Sequence, residues 1–256
     1  MADSRTILIT GAGSGIGRGL ALHFGRRGWR VMVTDLDAAA AEKVAGEIAA
    51  AGGEAEGYRL DVTSESDVTA LMARLAGRAV DVLVNNAGLQ HVAKLEEFPQ
   101  ERWDLVAGVI LRGAVLMTRA VLPGMRARGF GRIVNVGSIH SLVASPGKSA
   151  YVAAKHALHG FSKAIALETA DADITVNTIC PSYIRTRLVE EQIAGQARAH
   201  GIPESEVVER IMLEPMPKKA FVTIEEVAAA AEYFISDAAR NVTGQALAID
   251  GGWTAR

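Results

Sequence analysis

Short runs of β-branched and apolar residues alternate with longer stretches of helical periodicity along nearly the whole chain. The short runs predict strands at Thr6–Thr10, Arg30–Asp35, Glu56–Leu60, Asp81–Asn85, Arg132–Gly137, Ile174–Ile179 and Ala246–Ile249. Strands that are separated by helices pair in parallel through right-handed crossovers, so helices cover both faces of the sheet. The pattern predicts an α/β fold on a doubly wound parallel sheet of about seven strands, with its ligand crevice at their carboxyl ends.

The length of the chain, 256 residues, fits one large α/β domain over residues 1–256. The alternation is interrupted at Arg185–Phe221, where Pro203, Pro215 and Pro217 separate amphipathic helical pieces. Because this insertion follows a strand end, where the ligand crevice opens, we expect it to form a mobile substrate lid. The alternative interpretation is a surface excursion with no role in binding.

Composition and charge exclude several classes of protein. Hydrophobic residues make up 49% of the chain, which argues for a globular fold and against disorder. Since 27 Lys and Arg stand against 29 Asp and Glu, the chain has no overall field that would attract nucleic acid or an anionic membrane. The first residues contain no apolar signal core, and Arg112 interrupts the apolar stretch Leu105–Met117, so we expect a soluble cytoplasmic protein.

The sequence offers little for thiol or metal chemistry. A single cysteine, Cys180, excludes an intramolecular disulfide and a site with several thiolate ligands. It precedes Pro181 at a predicted strand end, where a small buried thiol is ordinary. Since the sequence contains neither an H-E-x-x-H motif nor a G-x-S-x-G motif, we predict no catalytic metal and no hydrolase site.

A glycine-rich run, Thr10–Gly17 (TGAGSGIG), follows the first predicted strand. A helix that begins there presents free backbone N–H groups to a phosphate, and glycine lets the backbone approach it closely. The spacing is T-G-x-x-x-G-x-G, because Ile16 stands where the third glycine of G-x-G-x-x-G would fall. Taken alone the run is compatible with a simple turn, but between a strand and a helix it predicts a Rossmann-type dinucleotide site. The predicted contacts are Gly11, Ser14, Gly15, Ile16 and Gly17.

Asp35 ends the second predicted strand, where a carboxylate can accept hydrogen bonds from the ribose hydroxyls of adenosine. Its charge would repel a 2′-phosphate, and the neighbouring Thr34, Leu36 and Asp37 supply no cation to attract one. This pattern favours NAD over NADP. The alternative is that one of the two aspartates only caps the next helix, a role for which Asp37 is well placed.

Tyr151 and Lys155 are four residues apart, which places both side chains on one face of a predicted helix. A phenol titrates near pH ~10, but a neighbouring ammonium and an oxidised nicotinamide both favour the phenolate. Tyr151 can then exchange a proton with a substrate hydroxyl, and Ser138, at the end of the fifth predicted strand, can orient the same oxygen. A lone Y-x-x-x-K pair is weak evidence, since such pairs occur by chance on exposed helices.

These motifs, taken together and in this order, resemble the short-chain dehydrogenase/reductase family over nearly the whole chain. The resemblance implies an NAD-dependent enzyme with Ser138, Tyr151 and Lys155 as catalytic residues, assembled as a homotetramer. It also implies an asparagine-rich turn beside the cofactor that partly holds the sheet together. The further cofactor contacts that it implies are Asp61, Val62, Asn86, Ala87, Gly88, Tyr151, Lys155, Pro181, Ile184 and Thr186.

Several segments narrow the resemblance to bacterial D-3-hydroxybutyrate dehydrogenases. They are Asn85–His91, His140–Lys148, Tyr151–His156, Ile179–Thr186, Leu188–Ile193 and Asp250–Arg256. The resemblance implies that Gln90, His140, Lys148 and Gln192 hold the carboxylate of a small hydroxy acid. It implies that Trp253 borders a methyl pocket, although the family's C-terminal contacts between subunits leave an interface role open for this residue.

The chain departs from the family pattern at three positions. Tyr183, predicted to bind substrate, stands where the resembling dehydrogenases have tryptophan, and Ser182 replaces a glycine. Ile110 stands where the family has an asparagine that helps to hold a water beside the catalytic lysine, and an alkyl side chain offers no donor or acceptor. Two alternatives therefore stay open: a dehydrogenase of another hydroxy acid or polyol, and an NAD-binding protein of low turnover.

Overall fold

The structure, a computed structural model, describes residues 5–255, so Arg256 of the last resembling segment lies outside the described residues. The described residues form a seven-stranded sheet in which every neighbouring pair of strands is parallel. The strands are β1 (Thr6–Thr10), β2 (Arg30–Asp35), β3 (Glu54–Arg59), β4 (Val82–Asn85), β5 (Phe130–Val136), β6 (Asp173–Pro181) and β7 (Ala246–Ile249). Their order in the sheet is β3-β2-β1-β4-β5-β6-β7. This sheet confirms the predicted fold class.

Three strands have the predicted bounds, and four differ from them at their ends. The predictions Glu56–Leu60, Asp81–Asn85, Arg132–Gly137 and Ile174–Ile179 correspond to β3, β4, β5 and β6. Partner strands set these ends, because a terminal residue joins the sheet when a neighbour pairs with it. Glu54 pairs with Arg30, for example, and Pro181 pairs with Ile249. The hydrophobic pattern of a single strand does not indicate which residues pair with a neighbouring strand.

Helices cover both faces of the sheet. They are α1 (Gly15–Arg26), α2 (Ala38–Ala50), α3 (Glu65–Arg74), α4 (Gln100–Ala107), α5 (Gly113–Arg128), α6 (Ser149–Glu168), α7 (Arg187–His200), α8 (Glu204–Val207) and α9 (Ile224–Ile235). The alternation of side chains along β1 separates two cores. Ile7 and Ile9 pack in the layer of α1, α2 and α9, whereas Leu8 packs in the layer of α3, α5 and α6.

The connection from β3 to β4 crosses the sheet, so β1 and β4 are neighbours. From β1 the next strands are added on one side of this pair, and from β4 they are added on the other. Ligands of doubly wound sheets bind in the crevice that such a change of direction opens at the carboxyl ends of the strands. The glycine-rich turn follows β1 and the Asn86–Gly88 turn follows β4. The fold therefore places the two predicted cofactor turns side by side.

One helical run, Gln100–Arg128, is long and apolar enough to cross a membrane when length and composition alone are considered. No other helix among residues 5–255 meets these two criteria. Its side chains Met117, Val121 and Met125 are buried in the core against the sheet. A buried helix of a globular protein has the same composition. The run is interrupted by a π-helical segment, Gly108–Arg112.

The segment 185–221 is helical, as its amphipathic pattern predicts, and contains α7 and α8. A small apolar cluster of its own is formed by Val189, Ile193, Val207 and Met212. An isolated parallel bridge between Ile184 and Val222 joins the two ends of the segment. Its role as a substrate lid stays a prediction.

Candidate active site

The glycine-rich turn is held in a conformation that side chains would obstruct. Gly11 and Gly15 have φ values of 62° and 55°, in the left-handed region that favours glycine. A Cβ at Gly17 would lie 2.4 Å from the carbonyl oxygen of Gly11 and 2.5 Å from Nδ2 of Asn86. The turn is therefore a close-packed cradle of bare backbone at the N-terminus of α1, of the kind that accepts a phosphate.

Asn86 links this cradle to the end of β4. Its Nδ2 donates to the carbonyl oxygens of Thr10 and Gly11, at 2.9 and 3.0 Å. The hydroxyl oxygen of Thr10 accepts in return from the backbone N–H groups of Asn86 and Ala87, at 3.0 and 3.1 Å. Asn86 thus has the structural part of the role that its motif predicts, because it ties the two loops at the crevice together.

The carboxylates of Asp35 and Asp37 accept hydrogen bonds from different parts of the structure. The Asp37 carboxylate caps α2 by accepting from the backbone N–H groups of Ala39 and Ala40. Asp35 accepts from the N–H of Gly13 at 2.8 Å and lies in the wall of the crevice. The capping alternative therefore applies to Asp37, and Asp35 remains the predicted ribose partner.

The crevice is a cavity of about 390 Å³. Most predicted cofactor residues line it, namely Gly11, Ser14, Gly15, Ile16, Asp35, Asp61, Val62, Asn86, Ala87, Gly88, Tyr151, Lys155 and Thr186. Three of the predicted residues do not line it: Gly17 packs within the turn, and Pro181 and Ile184 line an adjoining smaller cavity. The cavity is also lined by residues that no sequence motif indicated, namely Leu36, Leu60, Leu89, Val109, Val136 and Gly137. Most of them lie at or just beyond the ends of strands, and this position in the sequence could have identified them as residues of the crevice.

Tyr151 and Lys155 lie one turn apart on α6, and Ser138 begins the 3₁₀ turn that follows β5. The Lys155 Nζ is 5.5 Å from the centroid of the Tyr151 ring and donates a hydrogen bond of 2.6 Å to the carbonyl oxygen of Val136. Ser138 and Tyr151 both line a smaller cavity beside the crevice, and the Ser138 hydroxyl acts to lower the pKa of the Tyr151 phenol. The structure thus brings together the three residues predicted to be catalytic.

Burial opposes the charged forms of both groups on α6. It raises the pKa of the Tyr151 phenol to about 12, and the nearby Ser138 hydroxyl acts in the opposite direction. Burial also lowers the pKa of Lys155 to about 8. A phenolate at Tyr151 therefore needs further donors or positive charge when the enzyme works near neutral pH.

A second cavity, of about 100 Å³, adjoins the crevice at Ile16, Gly137, Tyr151 and Thr186. Five of the six predicted substrate residues line it: Gln90, His140, Lys148, Tyr183 and Gln192. The sixth, Trp253, is not in its lining. The Trp253 ring packs against the rings of Tyr183 and His140, with centroids 6.0 and 6.3 Å away. Trp253 therefore lies behind two residues that line the cavity, and its role at a methyl pocket stays a prediction.

Lys148 is the cation of the small cavity. Its side chain is buried, and no carboxylate among the described residues forms an ion pair with it. The Nζ atom donates to the hydroxyl oxygen of Tyr183 at 3.3 Å, and burial lowers the pKa of Lys148 to about 8. A buried ammonium without a counter-charge favours the binding of an anion.

Two amides close another side of the cavity. The Nε2 of Gln192 on α7 donates to Oε1 of Gln90 at 2.6 Å. The Oε1 of Gln192 is buried, and no hydrogen-bond partner for it occurs among the described residues. This pair joins the insertion to the loop after β4, so the inserted segment contributes directly to the cavity.

Ile110 lies in the π-helical segment and is buried with Val106, Ala114 and Leu158. Its Cγ1 atom is 3.7 Å from the point where a Cβ of Gly88 would be, and the Lys155 Nζ is 3.9 Å from the same point. Ile110 and Lys155 therefore both lie next to Gly88 at the crevice. π-Helical segments within α-helices are frequent at functional sites.

Comparison with known proteins agrees with this geometry. The family model described as enoyl-(acyl carrier protein) reductase matches residues 11–254. The D-beta-hydroxybutyrate dehydrogenase of Rhizobium meliloti is 43% identical over 99% of this chain and 100% of its own. That of Cupriavidus necator is 44% identical over 100% of both chains. A solved structure of a putative NAD(P) dependent gluconate 5-dehydrogenase from Beutenbergia cavernae with bound NADP is 36% identical, with a TM-score of 0.89, and covers 100% of this chain and 98% of that one.

The chain belongs to the short-chain dehydrogenase/reductase family. It is an oxidoreductase that uses a nicotinamide dinucleotide and acts on a small-molecule substrate. Within the family it is similar over its full length to D-beta-hydroxybutyrate dehydrogenases, which confirms the resemblance that the motifs indicate.

Proposed function

We propose that the protein is an NAD-dependent dehydrogenase that interconverts a small hydroxy acid and its keto acid, with D-3-hydroxybutyrate and acetoacetate as the first candidates. One observation carries the proposal: the buried ammonium of Lys148, which forms no ion pair with a carboxylate among the described residues, lies in the small cavity that Tyr151 and Ser138 also line. A carboxylate on Lys148 would hold an acid with its hydroxyl toward these two residues. A small acid has little apolar surface, so such charge-assisted hydrogen bonds must supply most of its affinity.

The residues of the crevice fit a nicotinamide dinucleotide, because the bare backbone at Gly11–Gly17 admits a phosphate and Asp35 offers acceptors to a ribose. The bound nicotinamide supplies the chemistry of accepting or returning a hydride. In oxidation, Tyr151 takes the proton from the substrate hydroxyl while Ser138 orients the same oxygen. Lys155 favours the phenolate of Tyr151 through its charge.

Two further properties belong to the proposal. We expect a cytoplasmic homotetramer, since the enzymes of this family are typically soluble and the resemblance implies tetramers. We expect the segment 185–221 to close on bound substrate, because Gln192 from this segment lines the small cavity. Size-exclusion chromatography with light scattering tests the first, and protease protection by substrate tests the second.

A second candidate is a dehydrogenase of a more polar hydroxy acid or of a polyol. The hydroxyl of Tyr183, 3.3 Å from Lys148, favours it, since the resembling dehydrogenases have tryptophan there. A steady-state screen of hydroxy acids and polyols with NAD and NADP separates the candidates. A protein that binds NADH but oxidises no member of the screen would instead be the nucleotide-binding protein of low turnover.

We expect Asp35→Ala to weaken NAD far more than NADP. The substitution removes acceptors for the ribose hydroxyls of NAD, and it removes a charge that repels the 2′-phosphate of NADP. A charged hydrogen bond contributes about 1.5–3 kcal/mol, which corresponds to roughly 10- to 100-fold in affinity. The ratio of kcat/KM for the two cofactors measures the effect. Asp37→Ala is the matched control, because this carboxylate caps α2 and should leave the ratio unchanged. Equal losses with both cofactors in Asp35→Ala would assign Asp35 a structural role alone.

We expect Ile110→Asn to increase kcat with little change in NADH affinity. An amide beside Lys155 can hold a water that the alkyl side chain cannot hold, and proton transfer contributes about 10² to 10⁴ in rate, so a gain of up to about 10²-fold is expected. Ile110→Val is the control, since it changes the packing without adding a polar group. Burying an unpaired amide costs about 1–3 kcal/mol, which thermal unfolding measures. A well-folded Ile110→Asn variant with unchanged or lower kcat would contradict the prediction.

A further inference from the structure

The β3 turn, residues 61–63, follows β3 and contributes Asp61 and Val62 to the wall of the crevice but not to that of the small cavity. The residue before it, Leu60, donates its backbone N–H to the carbonyl oxygen of Asp35 at 2.7 Å. The turn therefore lies next to the aspartate that is proposed to bind the ribose of adenosine. The groups that fix the β3 turn also fix the adenosine end of the crevice.

On one side the β3 turn is held by α3. The Asp67 carboxylate accepts from the backbone N–H of Asp61 at 3.3 Å and from Nη1 of Arg59 at 2.6 Å. One carboxylate oxygen of Asp61 accepts from the backbone N–H and the hydroxyl of Thr63, at 2.9 and 2.7 Å. These bonds fix the shape of the turn and its place relative to α3.

On the other side the β3 turn contacts the π-helical segment Gly108–Arg112 and the glycine that follows it. Nη1 of Arg112 donates to the carbonyl oxygen of Thr63. A Cβ at Gly113 would lie 2.7 Å from Cγ2 and 3.0 Å from Cβ of Val62, whereas carbon atoms pack at about 3.5–4.0 Å. Gly113 has a helical φ of −58°, so the contact with Val62, and not the backbone conformation, requires glycine.

We infer that Arg112 and Gly113 are positioning residues for the cofactor, because together they hold the β3 turn in the wall of the crevice. The inference rests on the proposed place of the adenosine ribose at Asp35. A π-helical segment takes up one residue more than an α-helix does, so the side chains after it are rotated by about 100° around the helix axis. The segment thereby determines which residues of this helical run meet the turn.

Gly108, at the other end of the π-helical segment, provides a matched comparison for Gly113. Its φ is −59°, so alanine fits the backbone at both positions. A Cβ at Gly108 would lie 3.8 Å from Cγ2 of Thr63, which is ordinary van der Waals contact. An alanine at position 108 should leave the β3 turn in place, whereas one at position 113 should displace Val62 by about 1 Å.

The test is the affinity of the cofactor-free enzyme for ADP-ribose, which contains adenosine and both phosphates but no nicotinamide. Gly113→Ala should weaken binding by about 10-fold in titration calorimetry, because the added methyl group overpacks the wall that Val62 forms. Gly108→Ala should bind ADP-ribose as the parent does. Equal affinities of these two variants would overturn the inference for Gly113.

The role of Arg112 is tested in the same titration. Arg112→Ala should weaken ADP-ribose by about 3- to 10-fold, the loss expected for one hydrogen bond, and Arg112→Lys should recover part of this loss because it retains a donor. Arg119→Ala is the matched control, since Arg119 is exposed on α5 and pairs with Glu65 of α3. Equal affinities of Arg112→Ala and Arg119→Ala would overturn the inference for Arg112.

Steady-state kinetics supplies a second measurement that a general loss of stability would not reproduce. Gly113→Ala and Arg112→Ala should raise the KM for the dinucleotide and leave kcat at saturating cofactor close to the parent value, because they act at the adenosine end. Equal losses of kcat in both variants with an unchanged KM would contradict the inferred role. Failure of the proposed cofactor placement gives a different result, because Asp35→Ala would then leave ADP-ribose binding unchanged.

Discussion

We expect Tyr151→Phe to lower kcat by about 10² to 10⁴, the range that general acid–base catalysis contributes. The substitution removes one oxygen atom and retains the ring. Tyr151 lines both the crevice and the small cavity, and Ser138 also lines the small cavity.

Binding of NADH to Tyr151→Phe should stay close to that of the parent, because the aromatic ring still fills the same space between the two cavities. Fluorescence titration with NADH provides this control independently of turnover. A Tyr151→Phe variant that binds NADH and retains parent-like kcat would transfer the proton-transfer role to another residue.

The second large effect is expected at Lys148. In Lys148→Ala the KM for a hydroxy acid should rise by roughly 10- to 100-fold, because a charge-assisted hydrogen bond contributes about 1.5–3 kcal/mol. A neutral alcohol of similar size should show little change. The Lys148 side chain makes no hydrogen bond that caps α6, so the substitution should not unfold the helix. Lys163→Ala, which removes an exposed charge from the same helix, is the matched control.

The pH dependence of the parent enzyme offers a check on the same residue. Burial lowers the pKa of Lys148 to about 8, so its ammonium is present below that pH and is lost as the pH rises through it. The KM for a hydroxy acid should therefore increase above about pH 8, and Lys148→Ala should lack this increase. A parallel increase with a neutral alcohol would remove Lys148 from the substrate site.

The fold could be predicted from the sequence because parallel strands buried on both faces appear as short apolar runs between helical stretches. Their ends could not be predicted, since they depend on partners in other strands, as for Glu54 with Arg30. The insertion could be recognised as helical from its amphipathic pattern. Its bridge between Ile184 and Val222 depends on the folded sheet and has no counterpart in the pattern.

The candidate site could be predicted wherever a motif lies next to a strand end, as for Asp35 and Ser138. Two features could not be obtained this way. Trp253 packs on the rings of Tyr183 and His140, and only the three-dimensional arrangement shows which rings it contacts. The contact of Arg112 with Thr63 depends on how the π-helical segment packs against the β3 turn, and a single arginine in a helical run does not indicate which loop it contacts.

The central claim, that this enzyme oxidises a small hydroxy acid with NAD, is tested most directly by the ratio of two specificity constants. With NAD as cofactor, kcat/KM for D-3-hydroxybutyrate is compared with that for 2-butanol, which has the same reacting carbon and methyl group but no carboxylate. The buried ammonium of Lys148 predicts a ratio of roughly 10 to 100 or more in favour of the acid, with most of this preference lost in Lys148→Ala. A ratio near one in the parent enzyme would contradict the account.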